Sequence, residues 1–323
     1  MLRYGAWIHG GGPTDLNDHV KKAAAAGLSS VRSYSPDYTR RLVPGLQETG
    51  LSLMAGLHVD AEALVADWKS QVDLASLAHY HQLGINLEAI CVGNELREFG
   101  DHPDRKRFTA RLSFALANVL HTYKEWLNQQ GLATPLTYAM EGIVFGENGQ
   151  FMEHLWPLVD ALDVISLNLY PMSKAAWHGP TQFEESRLLL QDRRTRNNRL
   201  MQYEFRLRQV LEVLDAAGKT LILSETGFPS AIAGHRDATN RMIPEHDLEG
   251  YAEAMDQFLG MISRVAVDYP DRIRMVYFYE WHDNPFHSKI DNIEDSPIHS
   301  AFGLCELGGK PKMDIKSLLD AHR

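Results

Sequence analysis

A regular alternation of short apolar runs with longer amphipathic segments most restricts how this chain can fold. Eight runs rich in Val, Ile, Leu and Tyr recur along the sequence. Nearly continuous apolar runs of this length are typical of parallel strands that are covered on both faces. The predicted strands are residues 4–8, 30–34, 52–57, 89–93, 136–140, 164–168, 220–224 and 274–280.

Helical patterns separate these runs, and several of them end before a glycine, which is a common helix C-terminal signal. The repeated order of helix, glycine and strand is typical of βαβ units. Eight such units predict a closed (β/α)8 TIM barrel in a single domain that spans residues 1–323. An open α/β sheet is the alternative, because periodicity alone does not distinguish the two. The predicted helices are residues 15–26, 38–49, 62–83, 105–130, 203–217 and 248–267.

Residues 172–202 depart from this rhythm. They contain no clear strand, and the part from 191 to 199 is rich in arginine and asparagine. We expect an expanded loop after strand six, because long connections in compact domains are often functional. Such a loop would form a lid or a wall of a substrate cleft, and a solvated helical excursion is the alternative.

The net charge and the apolar composition bear on whether the protein binds nucleic acid or crosses a membrane. The 323 residues carry a formal net charge of −10, with an isoelectric point of about 5.8. A surface of this sign repels polyanions, so we expect no nucleic-acid partner. No run approaches the roughly 18 apolar residues of a membrane span, and the N-terminus lacks a signal-peptide pattern. The chain as given is therefore expected to be cytoplasmic, and a trimmed form of a secreted or membrane-tethered protein is the alternative. The sequence makes no prediction of oligomeric state.

Two glutamates directly follow apolar strands. Asn94 and Glu95 come after strand four, and Glu225 ends the run Leu-Ile-Leu-Ser-Glu of strand seven. The carboxyl ends of the strands form the active face of such barrels. We expect strands four and seven to face each other there, bringing the two carboxyl groups to about 5 Å, the spacing of a retaining glycosidase pair. One carboxyl would stay protonated and the other ionised, whereas a single strand-end glutamate would more simply cap a helix or pair with an arginine.

Several short motifs occur in the order found in one enzyme family. The segments Val92-Gly93-Asn94-Glu95 and Ser224-Glu225-Thr226-Gly227-Phe228-Pro229 resemble the acid/base and nucleophile motifs of glycoside hydrolase family 17. These enzymes are β-1,3-glucanases and transglycosylases of the retaining (β/α)8 clan A. Further similar segments are Val31-Arg32-Ser33-Tyr34, Ile165 to Pro171, Tyr277 to Asp283 and Phe302-Gly303-Leu304. The chain departs from many members in having Phe228 where they have tryptophan.

The resemblance implies a role for each matching residue. Glu95 would be the acid/base and Glu225 the nucleophile. Substrate-binding roles would fall to residues around them: Asn94 at the sugar 2-hydroxyl, Tyr170 and Arg32 at the nucleophile, and Tyr34, Glu280 and Trp281 around the non-reducing sugar. Trp281 would present its indole face to a pyranose, a contact that suits the apolar face of the sugar.

These features predict an enzyme that acts on a carbohydrate partner, a β-1,3-linked glucan or gluco-oligosaccharide, with net retention. Water or a second sugar would be the acceptor, and no cofactor is needed. We expect no metal site, because His282, Asp283 and His287 lack ligand spacing. One alternative is an exo-acting clan A glycosidase on a galactoside or mannoside. Another is a catalytically silent carbohydrate-binding barrel.

Overall fold

The computed structural model of the chain describes residues 1–9, 15–99, 107–141, 152–172, 182–239, 242–284 and 297–323. Eight parallel strands close into a barrel, with each strand hydrogen-bonded to two neighbours. The closed sheet confirms the predicted (β/α)8 barrel and rules out an open sheet. The strands in chain order are β1 Tyr4–Trp7, β2 Ser30–Arg32, β3 Ser52–Leu57, β4 Leu87–Asn94, β5 Leu136–Glu141, β6 Ile165–Asn168, β7 Leu221–Thr226, β8 Ala231–Arg236, β9 Met242–His246 and β10 Ile273–Phe278.

The order around the barrel is β1-β10-β7-β6-β5-β4-β3-β2. The eighth barrel strand is therefore β10, and it lies opposite β4. The expectation that strands four and seven face each other was wrong, since only β5 and β6 separate them. The strands β8 and β9 form an antiparallel hairpin outside the barrel, which the sequence patterns did not predict.

Helices surround the barrel, and their boundaries follow local capping. The long helix predicted at 62–83 is interrupted by a short 3-10 turn at Trp68–Gln71, because Asp67 and Asp73 accept bonds from the backbone and start new elements. At the end of another helix, Gly50 adopts a left-handed conformation as predicted. The helices are α1 Leu16–Ala25, α2 Pro36–Thr49, α3 Ala61–Ala66, α4 Leu74–Gln82, α5 Ala110–Gln129, α6 Trp156–Ala161, α7 Gln182–Gln191, α8 Arg193–Ala216, α9 Leu248–Asp268 and α10 Ile315–Ala321.

The segment predicted as an expanded loop is largely helical. Residues 182–191 form α7, and α8 begins at Arg193, about ten residues before the predicted helix start. Asp192 caps α8 by accepting bonds from the amides of Arg194 and Thr195. The helical alternative is therefore correct for residues 182–202, and residues 173–181 lie outside the described part. The polar composition misled the prediction, because one of these arginines is buried.

Arg196 anchors this added helical layer. Its side chain is almost fully buried, and Nη1 donates to the carbonyl oxygens of Leu189 and Leu190 at the end of α7. The same guanidinium contacts Glu253 and Gln257 on α9 at 2.6 and 2.9 Å. One charged side chain therefore joins three helices.

The barrel interior is filled by a small apolar cluster, surrounded by the larger core between strands and helices. Gly56 in β3 allows one close approach that matters for the site. A β-carbon at this position would lie 2.5 Å from the carbonyl carbon of Tyr34. Glycine thus lets the chain after β2 lie directly against β3. In the ranges described, no helix combines the length and apolar character needed to cross a membrane.

We expect Arg196→Met to lower the free energy of unfolding by about 2–3 kcal/mol, because several buried acceptors lose their donor. Urea unfolding would measure the loss, and amide exchange in α7 should accelerate most. Arg206→Met, at an exposed position of the same helix, should change stability by less than about 0.5 kcal/mol. Equal effects of the two substitutions would contradict the anchoring role.

Candidate active site

Glu225 lies near the carboxyl end of β7, where its residue is 6% exposed. Three donors converge on its carboxylate. Arg32 Nη1 donates to Oε1 at 2.9 Å, and the Tyr34 hydroxyl donates to the same oxygen. The Tyr170 hydroxyl donates to Oε2 at 2.8 Å. The structure therefore brings Arg32, Tyr34 and Tyr170 onto Glu225, and both carboxylate oxygens are held in fixed directions.

Arg32 ends β2 and has no exposed surface. Besides Glu225, its Nη1 donates to the carbonyl oxygen of Ser224 at 2.7 Å, and its Nη2 donates to Asn94 Oδ1 at 2.9 Å. The guanidinium carbon lies 4.6 Å from the centre of the Tyr34 ring, a cation–π distance. A single buried cation thus links the ends of β2, β4 and β7.

Glu95 follows β4 directly and has a backbone φ of 47°, in the left-handed region that residues with a β-carbon rarely adopt. Its amide donates to the carbonyl oxygen of Ala139 in β5 at 2.9 Å, at a register shift between the two strands. The Glu95 carboxyl accepts a bond from Asn168 Nδ2 at 2.8 Å. The unusual backbone therefore directs this carboxyl toward the end of β6.

Asn168 links Glu95 to two residues that neighbour Glu225 and its arginine, and the sequence predictions did not single it out. Its Nδ2 also donates to Asn94 Oδ1 at 3.1 Å, and its Oδ1 accepts from the Ser224 hydroxyl at 2.8 Å. Asn168 is the last residue of β6. Glu95 was predicted as a site residue because it is polar and comes at the end of an apolar strand, and the same criterion applies to Asn168.

The two carboxyl groups lie in different electrostatic environments. Burial, and then the negative charge of Glu225, raises the pKa of the Glu95 carboxyl to about 7. A carboxyl with this pKa is protonated in a substantial share of the molecules at neutral pH, as a general acid requires. Glu225 instead forms an ion pair with Arg32. The arrangement can supply one proton donor and one anionic nucleophile from the same residue type.

An aromatic cluster lies beside Glu225. The rings of Trp7 and Tyr279 stack at 4.9 Å, and Trp7 also contacts Tyr34 at 4.6 Å. Tyr170 meets the edges of Tyr279 and Phe302 at 6.1 and 5.8 Å. These rings belong to the ends of β1, β2, β6 and β10 and to the C-terminal segment. They form an apolar wall, named here the aromatic wall, on the β10 side of the barrel mouth.

Glu280 and Trp281 follow β10 but are both buried. The Glu280 carboxylate contacts His9 Nε2, and burial lowers the pKa of His9 to about 4, so this histidine is neutral at pH 7. Trp281 is 1% exposed, and its Nε1 donates to His19 Nδ1 at 3.2 Å. The prediction that Trp281 presents its indole face to a sugar was wrong, because the ring packs into the core between barrel and helices.

Across the ranges that the structure covers, no group of three or more His, Cys, Asp or Glu side chains is arranged to hold a metal ion. His282 and Asp283 are buried, and Asp283 forms an ion pair with Lys312 at 2.6 Å. His287 lies outside the described residues. On the other side of the mouth, Arg97 forms an ion pair with Glu141 near Glu95.

Comparison with known proteins shows similarity at the level of fold. No protein-family model matches the chain, and no curated protein matches it. An endo-laminarinase from Formosa Hel1_33_131 superposes with a TM-score of 0.67 at 18% identity, covering 99% of this chain and 86% of that one. A β-glucuronidase from Ruminococcus gnavus has a TM-score of 0.61 at 13% identity, covering 100% and 49%. A family GH2 β-galacturonidase from Eisenbergiella tayi has a TM-score of 0.61 at 14% identity, covering 100% and 51%. The chain thus spans about half the length of the latter two, and membership of family 17 stays a prediction.

The raised pKa of Glu95 should make stability depend on pH. Between the ordinary value of 4.5 and about 7, the native state holds a proton that the unfolded chain has lost. This contribution to the free energy of unfolding therefore falls as pH rises through that window. The free energy of unfolding of Glu95→Gln minus that of the parent should therefore be larger at pH 8 than at pH 5, by about 2 kcal/mol.

Urea unfolding at both pH values would measure this difference, and other titrating groups such as Asp283 cancel because both proteins contain them. Glu48→Gln, at an exposed glutamate paired with Lys21, is the matched control and should show no such dependence. A difference between Glu95→Gln and the parent that is the same at pH 5 and pH 8 would contradict the assigned pKa.

Proposed function

We propose that the chain is a retaining β-glycosidase in which Glu95 is the acid/base and Glu225 the nucleophile. The observation that carries this proposal is the presence of two strand-end glutamates with different surroundings: Glu225 is ion-paired with Arg32, and the pKa of Glu95 is raised to about 7. Double displacement at an anomeric carbon needs this combination. The fold shared with glycoside-cleaving enzymes is consistent with such chemistry, but the proposal depends on the residues of the site and not on the fold.

In the first step, Glu225 Oε attacks the anomeric carbon as the bond to the leaving oxygen breaks. Glu95 gives its proton to that oxygen, and a glycosyl ester forms on Glu225 with inverted configuration. In the second step, Glu95, now ionised, takes a proton from water as the water oxygen attacks the same carbon and releases Glu225. Two inversions restore the β configuration, and a sugar hydroxyl in place of water gives transglycosylation.

The surrounding residues have complementary roles in this proposal. Arg32, Tyr34 and Tyr170 orient the nucleophile and bear its charge until it attacks. The oxygen of the Asn94 amide accepts from Arg32 and Asn168, so its nitrogen points the other way. That nitrogen is the proposed donor to the sugar 2-hydroxyl, a bond that strengthens in the transition state of such enzymes.

The charges named above favour a neutral sugar over a uronic acid. Among the residues that the structure describes, four glutamates lie around the strand ends, and the two arginines near them are each paired with one of these carboxylates. An anionic sugar would add negative charge to this surface. The glutamates are Glu95, Glu141, Glu225 and Glu280, and the arginines are Arg32 and Arg97. A β-1,3-glucan or gluco-oligosaccharide, the substrate class that the motifs predict, satisfies this condition.

The aromatic wall supports one second candidate, an exo-acting β-glycosidase on another neutral sugar. The leaving group lies on the Glu95 side, so the far end of the glycone points toward β10. There the stacked Trp7 and Tyr279 rings, with Phe302 beside them, would form the end of the glycone subsite in this proposal.

Incubation of the purified protein with laminari-oligosaccharides of defined length, alongside β-galactosides, β-mannosides and β-glucuronides, tests the function. We expect shortened or lengthened β-linked products from the laminari series, detected by mass spectrometry, with the anomer followed by NMR. Activity only on a β-galactoside or β-mannoside would keep the two-glutamate mechanism and discard the glucan. Preference for a glucuronide would contradict the charge argument. Binding of oligosaccharides without turnover would favour a silent carbohydrate-binding barrel.

Replacement of each glutamate by alanine should distinguish their roles. Glu225→Ala should lower turnover by about 10⁵-fold, and azide should restore it with an α-glycosyl azide as product. Glu95→Ala should slow natural oligosaccharides by roughly 10²- to 10⁴-fold but leave kcat/KM on dinitrophenyl glycosides nearly unchanged, and azide should then give a β-glycosyl azide. Glu48→Ala controls for loss of an exposed glutamate. Natural-substrate rates unaffected by Glu95→Ala would refute the acid/base assignment.

A further inference from the structure

The turn that carries Glu95 combines two unusual backbone conformations. Gly93 has a φ of 82° and Glu95 a φ of 47°, so two of three successive residues are left-handed. A β-carbon at Gly93 would also lie 3.0 Å from Leu96 Cδ1. The Glu95 conformation is unfavourable by roughly 1–2 kcal/mol for a residue that has a β-carbon, so other contacts must maintain it.

Two hydrogen bonds from the backbone fix this turn, and both acceptors belong to β5. The Glu95 amide donates to the carbonyl oxygen of Ala139 at 2.9 Å, as part of the shifted strand ladder. The next amide, that of Leu96, donates to the hydroxyl of Tyr138 at 2.7 Å, and this bond is buried. The amide that directly follows Glu95 is therefore bonded to a side chain, that of Tyr138, and not to the backbone of β5.

The ring and the hydroxyl of Tyr138 have separable roles. The residue is 1% exposed, and its ring packs against Phe108 with a centroid distance of 5.6 Å. Phenylalanine could keep that packing, and it would remove only the acceptor of the Leu96 amide. The amide would then be buried without a partner, an unfavourable state that a change in the turn could relieve.

We propose that Tyr138 is a positioning residue for the acid/base: its hydroxyl holds the Leu96 amide, and thereby holds Glu95 in the left-handed conformation that directs its carboxyl toward Asn168. This inference rests on the proposed function. Tyr138 touches no reacting atom, and it acts through the backbone of Glu95. Its loss should impair only the steps in which Glu95 transfers a proton.

Tyr138→Phe tests the proposal through its dependence on the leaving group. We expect kcat for laminaritriose hydrolysis to fall about 10- to 100-fold, since small misplacement of a catalytic group costs this much, with KM nearly unchanged. The kcat/KM for 2,4-dinitrophenyl β-glucoside reports formation of the glycosyl ester, in which this leaving group departs without a proton, and it should change by less than about threefold. An equal loss on both substrates would overturn the proposal, because a general structural defect would slow both.

Tyr123→Phe is the matched control. Tyr123 is also fully buried, and its hydroxyl likewise accepts a backbone bond, from the Asp73 amide at 2.8 Å, but it lies in α5 away from the site. The two variants should have similar unfolding temperatures. Only Tyr138→Phe should show the leaving-group effect, and the same effect in Tyr123→Phe would contradict a specific role.

A second variant removes the donor instead of the acceptor. The α-hydroxy analogue of leucine, incorporated at position 96 by nonsense suppression, replaces the amide N–H by an ester oxygen and leaves Tyr138 in place. It should reproduce the leaving-group effect of Tyr138→Phe. Normal kinetics in this ester variant would overturn the proposal even if Tyr138→Phe failed to fold.

A measurement without substrate separates this inference from the proposed function. In ¹³C-glutamate-labelled protein, the Glu95 carboxyl of the parent should titrate near 7, and in Tyr138→Phe it should titrate closer to its ordinary value, because the released side chain reaches solvent. An unchanged titration would refute the positioning role. If the parent turns over no glycoside, the proposed function fails, and this titration still decides the role of Tyr138.

Discussion

The guanidinium of Arg32 is completely buried, and the geometry of the site follows from how its charge is neutralised. A buried cation is stable only when opposite charge and hydrogen-bond acceptors replace the water that it has lost. Here a carboxylate and a carbonyl oxygen come from β7, and an amide oxygen comes from the end of β4. The position of Glu225 is therefore determined by the barrel itself, before any ligand binds, and Asn94 and Asn168 are oriented by the same network.

One consequence is an asymmetry between two identical side chains. Glu225 lies against a cation and two phenols, whereas Glu95 receives its bond from a neutral amide and is close enough to Glu225 to be affected by its charge. The second environment raises the pKa of Glu95, whereas the first pairs Glu225 with a fixed cation. The proposed proton donor and the proposed nucleophile are thus distinguished by their neighbours. The backbone differs as well, since of the two only Glu95 follows its strand in a left-handed conformation.

The sequence predicted the barrel and both strand-end glutamates, because apolar runs and polar strand ends are local patterns. The features that it did not predict depend on contacts between distant residues. Trp281 follows a strand as a mouth residue would, but its ring turns outward to His19, and nothing near it in the chain indicates this. The arginine-rich segment looks solvated, yet Arg196 is buried because helix ends from elsewhere surround it. The amide of Leu96, directly after Glu95, donates to a hydroxyl in the next strand, 42 positions further along the chain.

The partners of Arg32 are also widely separated in the order of synthesis. Asn94 follows it by 62 positions, but Ser224 and Glu225 follow by 192 and 193. A chain emerging from the ribosome would carry this cation through the first four strands with only one of its acceptors present. The first half of the barrel cannot neutralise Arg32 by itself, so burial of the guanidinium awaits the arrival of the seventh barrel strand. Charge neutralisation in the site is therefore a late event that only the closing strand β10 follows, and fragments that end before β7 would lack a stable place for this side chain.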